Sequence, residues 1–286
     1  MTTTLEMPPR PAETTSTATP TTAHRQTLGR AIHSEWIKIR SLRSTWIGMA
    51  TVVLVMIGLG SLSAAVSTGS VAAPGDGGGP LGGGGPLSTV LAGADFAVLL
   101  IGVLGSLAGA REYSSRMISA TVAAVPRRWQ VVAAKAIVLA AVVIPTALIG
   151  VMGAFGAGMG ILSASDAATV ALTDDGVLRS VLGMAGYVTA IALLGLGLGI
   201  LLRSTAGSIG AVVGGIMVLP TVAGALLPDS WDTVLRFLPS SAASSFTTVM
   251  SAGDSTLSAG AGVAVLAAWV AAALGAAAFA ITRRDV

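Results

Sequence analysis

Arg111-Glu-Tyr-Ser-Ser-Arg-Met-Ile-Ser-Ala-Thr-Val-Ala-Ala-Val-Pro-Arg-Arg-Trp-Gln-Val-Val-Ala-Ala-Lys135 is a dense charged island between two long apolar runs. It holds four arginines, one glutamate and one lysine in a chain that is only 10% charged overall. The run before it, Val90–Ala110, and the run after it, Val131–Leu162, are each long enough for a helix to cross about 30 Å of hydrocarbon, which takes ~20 residues. If both cross a membrane, the island is a loop on one side of it, the part that a soluble partner can grip.

The composition points the same way. Of 286 residues 53% are hydrophobic, and the mean hydropathy is +0.83. An ordinary soluble domain is about 25% charged, so this chain has too few charges to cover a globular surface, and a membrane protein is the leading class. Four further apolar runs are Trp46–Val66, Leu178–Leu202, Thr205–Leu227 and Leu257–Ile281. Six spans result, an all-α membrane fold. Pro145, near the middle of the long third run, predicts a kink or break there.

Lys and Arg in short loops set the orientation. With the N-terminus inside, fourteen of the sixteen basic residues fall on the inner side, leaving Arg179 and Arg236 outside. The outer loops carry Asp76, Asp166, Asp174, Asp175, Asp229, Asp232 and Asp254 instead. An even number of spans returns the C-terminus to the inside, so both termini are expected to be cytoplasmic. The basic pI, near 9.9, therefore reflects membrane-flanking charge, and no nucleic-acid partner is expected.

Residues 1–27, rich in Thr, Pro and Ala, read as a disordered cytoplasmic tail, without the apolar core of a secretory signal. Residues 28–45 read as an amphipathic helix lying in the inner headgroup region, ahead of a transmembrane domain spanning 46–286. Leu28, Ile32, Trp36, Ile39 and Leu42 recur at helical spacing, with Arg30, His33, Lys38 and Arg40 off that face. Glu35 falls inside the apolar stripe. A buried ion is costly unless paired, so a basic partner is expected, with another segment one place it could come from.

Several chemistries are disfavoured by residue type. The glycine-rich Gly75–Gly85 stretch has no Lys after its glycines, as a phosphate loop requires, and reads as a flexible outer linker. The chain is thus expected to have no ATPase of its own. Cysteine is absent, and the two histidines, His24 and His33, both precede the first span, so no catalytic triad, metal or cofactor site is expected. Asp95, inside the second span, is a possible intramembrane polar site, since ionisable groups in membranes are functional suspects. The Gly-x-x-x-Gly spacings at Gly105–Gly109, Gly156–Gly160, Gly195–Gly199 and Gly210–Gly214 read as internal helix packing. Pro220 and Pro228 are expected to bound the outer end of the fifth span. A short outer helix pair should follow, anchored by Trp231 and Phe237. Arg203-Ser-Thr leaves room only for a tight inner turn between the fourth and fifth spans.

The stretch Glu35-Trp-Ile-Lys-Ile-Arg-Ser-Leu-Arg-Ser-Thr-Trp46 resembles the amphipathic lead-in of exporter-type (type-2) ATP-binding-cassette permeases of actinobacteria. Glu112 to Arg128, followed by Ala134-Lys-Ala136, is similar to that family's first cytoplasmic loop. Arg203-Ser-Thr-Ala-Gly207 and Leu238-Pro-Ser-Ser-Ala242 also fit its pattern, in order, from about Leu28 onward. Arg116 departs from it, standing where a small residue, often Gly, is usual. The resemblance implies a bacterial plasma-membrane permease that pairs with a second copy or a close paralogue. Each permease would dock a separately encoded ATPase subunit, which binds the ATP. Glu112, Tyr113 and Arg116 are then the expected coupling contacts, with Arg127 and Arg128 on anionic lipid headgroups. The competing readings are a non-transporting membrane anchor for a cytosolic partner and a secondary transporter.

Overall fold

A computed structural model describes residues 27–72, 85–114, 128–249 and 257–283. The tail before Thr27, most of the Gly75–Gly85 linker, Arg116, Arg127 and Arg284 lie outside these residues. Every regular element among the described residues is helical. They are α1 (Leu28–Ser41), α2 (Arg43–Ser67), α3 (Pro86–Ser114), α4 (Trp129–Ala164) and α5 (Val177–Leu202). Then follow α6 (Thr205–Val213), α7 (Leu219–Leu226), α8 (Asp232–Leu235), α9 (Pro239–Thr247) and α10 (Ala259–Arg283). Among the described residues six helices are long and apolar enough to cross a membrane: α2, α3, α4, α5, the α6–α7 rod and α10. Outward-facing Ile47, Leu54, Ile149, Leu226 and Phe279 are each more than 60% exposed, an apolar exterior that water would penalise and lipid would not.

The core is built on α3 and α5. Buried Ile101 of α3 packs with Ile191, Leu196 and Ile200 of α5, flanked by Val52 and Met56 of α2 and Val143 and Val151 of α4. Without a hydrophobic driving force between helices in lipid, such packing relies on close approach. Glycines supply it here. A Cβ on Gly105 would run into the carbonyl of Ala192, and one on Gly199 into the carbonyl of Ser106. Gly109 and Gly195 make the same close approach, so α3 and α5 bring two small-residue pairs face to face. The internal-packing expectation fails for the other two pairs. A Cβ on Gly156, Gly160, Gly210 or Gly214 would meet nothing within 4 Å.

The ends of the helices explain the turns. Leu42, with extended backbone (φ −87, ψ 100), separates α1 from α2, which begins three residues earlier than the apolar run suggested. Arg203 adopts a left-handed conformation (φ 53) and ends α5, while Ser204 caps α6 by accepting a hydrogen bond from Gly207 N at 3.2 Å. The tight turn is therefore formed as its three residues implied.

Of the kink or break expected at Pro145, the break is absent. α4 runs 36 residues through Pro145 without a break. The proline removes one backbone donor, but packing of α4 along α2 and α5 keeps the helix continuous. Pro220 and Pro228 bracket the end of the fifth span, as expected: Pro220 sits at the start of α7, and the rod ends at Leu226. A π-helical turn at Gly214–Val218 lies just before Pro220, a wider winding of the kind found at local irregularities in helices. Only 11% of this rod's most apolar window is buried, against 67% for α5, so it is the most peripheral of the six.

Beyond Pro228 a short helical turn, α8 and α9 form the expected outer pair. α9 buries Ala242, Ala243 and Phe246, while Trp231 and Phe237 stay about half exposed. Trp269 of α10 donates its indole N–H to Phe237 O at 2.9 Å and fastens the pair to the bundle.

Candidate functional site at the basic end of the bundle

The basic helix ends gather at one end of the bundle. Arg128, just before α4, donates to the carbonyl of Ile281 near the end of α10 at 3.3 Å. Arg203, ending α5, stacks over Tyr113 in the last turn of α3, 5.2 Å from the ring centroid. Lys135 of α4 reaches Glu35 of α1. Asp166, Asp174 and Asp175, in the turn after α4, and Asp232 belong to the opposite end. The positive-inside pattern read along the sequence thus corresponds to a spatial separation of charge.

The Glu35 carboxylate is the organising group. One oxygen accepts from Lys38 Nζ at 2.7 Å and the other from Lys135 Nζ at 2.9 Å. Side-chain exposure is 8% for Glu35, 7% for Lys135 and 40% for Lys38. Two ammonium groups on one buried carboxylate offset its desolvation, which a lone buried ion would not survive. The basic partner expected for Glu35 is therefore present. The sequence placed Lys135 among the loop charges, however, whereas it lies six residues into α4. Its position inside the apolar run beginning at Val131 was the available signal.

This triad fixes how α1 sits. Ala31 and Glu35, one turn apart, are the buried face against α4. Trp36 and Leu42, assigned to the same apolar stripe as Ile32 and Ile39, are 40% and 45% exposed. The stripe is divided: one edge docks on the bundle and the other faces outward, where a membrane interface would meet it. Arg40 is exposed in the last turn.

Behind the triad lies a cavity of about 340 Å³ between α1, α2, α3, α4 and α5. Its walls are apolar, with Met49, Leu104, Leu139 and Leu196 among them, and its charged lining is Glu35, Lys38, Arg111 and Lys135. Sequence reasoning did not find this cavity, because its wall residues are ordinary span residues and only the tertiary arrangement of five helices leaves the space.

The expected coupling residues are only partly described. Glu112 lies in the last turn of α3, at the basic end, but its side chain is outside the described residues, as is all of Arg116. Tyr113 is half-buried against the core and under Arg203, a packed residue more than a free contact. Arg128, expected on lipid headgroups, is engaged with α10. Asp95 lies nine residues into α3, about 13 Å along the helix, deeper than the apolar run implied because α3 starts at Pro86. It and Phe96 face outward, between buried Ala94 and Ala97. Among the described residues no three His, Asp or Glu side chains come together as a metal site would require.

These features define a multi-pass bundle of six membrane-length helices with a helix docked at its basic end. Compared with known protein families, curated proteins and solved structures, the chain gives no match.

Proposed function

We propose that the chain is the membrane-spanning permease subunit of an ATP-driven exporter in a bacterial plasma membrane, working as a pair and powered by a separately encoded ATPase. The observation that carries this reading is the basic end of the bundle. There the end of α3, which bears Glu112 and Tyr113, is tied through Arg203 to α5, while α1 is tied through Glu35 to α4. A push on the loop after α3 would reach the two most buried helices of the core. The four stretches that resemble type-2 permeases lie in order along the same chain, and two of them, Glu35–Trp46 and Arg203–Gly207, occupy this end.

The peripheral α6–α7 rod, with its open Gly210 and Gly214, offers the face on which a second copy would sit. Nucleotide hydrolysis belongs to the partner, and the described residues of this chain supply mechanical coupling and the path. The test is ATP hydrolysis by the membrane-embedded complex with Glu112→Ala. The reading expects hydrolysis to continue while transport falls. Normal transport in that variant removes Glu112 from the coupling path.

A further inference from the structure

Asp95 and Gly102 stand two helical turns apart on α3 and so share a face. At Gly102 that face is closed, since an added Cβ would meet Val212 of α6 and Ile191 of α5. At Asp95, about 10 Å nearer the outer end, it is open, and Asp95 and Phe96 are exposed. The rod explains the difference. Its π-helical turn begins at Gly214, just after the Val212 contact. Beyond that turn Met217, Val218 and Leu219 are about half exposed, and Ala223 is the buried residue of α7. α7 packs chiefly on the π-helical turn and on α8, not on α3 or α5. A cleft therefore opens toward the outer side between α3, α5 and the outer half of the rod. π-helical turns inside longer helices recur at functional sites.

This cleft carries a carboxylate at membrane depth. Tyr187 of α5 lies within electrostatic reach of Asp95, and the exposed Phe96 is its neighbour in the chain. Among the described residues Asp95 makes no hydrogen bond or ion pair. The two arginines of the outer side are placed elsewhere. Arg236 stacks over Phe237, 5.2 Å from the ring centroid, and Arg179 reaches back beside Gly176. An ionised group this deep is costly without a partner, so the position calls for a cation. A hard metal ion takes six or more oxygen ligands, and among the described residues no three acidic or histidine side chains gather. One carboxylate, two aromatic rings and apolar helix walls instead match a cation with an apolar body, since ring faces attract such charges.

We propose that this cleft binds one organic cation with an apolar body, its charge at Asp95 and its body against Phe96, Tyr187 and the rod. That the ligand is the cargo rests on the exporter reading. Binding itself does not.

The test uses the full chain in nanodiscs of neutral lipid, with no ATPase present. Equilibrium dialysis compares two probes of the same shape and opposite charge, tetraphenylphosphonium and tetraphenylborate, after subtraction of protein-free nanodiscs. Saturable binding of the phosphonium, and none of the borate, is expected. Asp95→Asn should weaken phosphonium binding about tenfold, as loss of a charge contact away from bulk water does, and Asp95→Glu should retain it. Phe96→Ala should weaken it about threefold, the size of one cation–ring contact. Equal binding of the two ions by the parent chain, or no saturable phosphonium binding, would overturn the proposal. So would undiminished affinity in Asp95→Asn. Displacement by sodium chloride but not by N-methylglucamine chloride at the same concentration would also overturn it, marking a site for an inorganic cation. The parent's discrimination between the two ions needs no variant to fold. Because no ATPase takes part, failure of this binding and failure of an ATPase to co-purify are separate outcomes.

Discussion

Lys135 and Glu35 stand 100 residues apart in sequence and 2.9 Å apart in space, both almost fully buried. This pair joins α1 to α4 and sets the register of the helix that precedes the first span. Its strength is conditional, because breaking a buried pair costs far more than replacing it.

Lys135→Ala is therefore expected to lower stability by about 3 kcal/mol, the lower end for removing one partner of a buried pair, since Lys38 still contacts Glu35. The double variant Glu35→Leu/Lys135→Met should regain most of the loss, because both charges leave together. Thermal unfolding in detergent distinguishes the two. Equal destabilisation of single and double variants would show that packing of α1, not the ion pair, is at stake.

The α3–α5 contact yields a second expectation. Gly195→Leu inserts a side chain against the backbone of Gly102 and Ser106 and should destabilise by about 1–3 kcal/mol or more, as over-packing does. Gly156→Leu, where an added Cβ meets nothing within 4 Å, should not destabilise, since leucine is favoured over glycine in a helix interior by up to about 1 kcal/mol. Melting curves of the two purified variants, compared side by side, check the contrast.

The glycine contrast was half legible in the sequence. The Gly-x-x-x-Gly spacing named all four pairs, but spacing alone does not say which helix faces which. Only the fold shows that Gly105 and Gly109 meet Gly195 and Gly199. The spans and their alternation were legible because apolar length and flanking charge are local signals, and so was the need of Glu35 for a partner. The identity of that partner was not, since Lys135 also fitted a loop count. Pro145 did not decide between kink and break, because proline removes a hydrogen bond without dictating whether neighbouring helices hold the rod together. The cavity was invisible, being a property of five helices at once.

Orientation can be read directly. The chain contains no cysteine, so single cysteines report one position each. Ser41→Cys and Ser204→Cys, at the basic end, should react with an impermeant thiol reagent only from the cytoplasmic face. Thr173→Cys and Ser230→Cys should react only from the outside. Labelling of Ser41→Cys from the outside would invert the topology.

Asp95 lies within a membrane-length helix, where an ionised carboxylate is disfavoured, so Asp95→Asn should not lower stability in thermal unfolding in detergent. Transport measured in the same preparation then isolates any functional role. Unchanged transport across pH would leave Asp95 without a part in the path.

The central claim, that a separate ATPase drives this bundle, is tested most directly by isolating the tagged full chain from its native membrane in mild detergent and measuring ATP hydrolysis in the eluate. The account predicts that an ATPase carrying a phosphate-binding loop co-elutes in near-equal amount, with hydrolysis sensitive to vanadate. A pure eluate without ATPase and without hydrolysis, from membranes where the chain is correctly inserted, would contradict it.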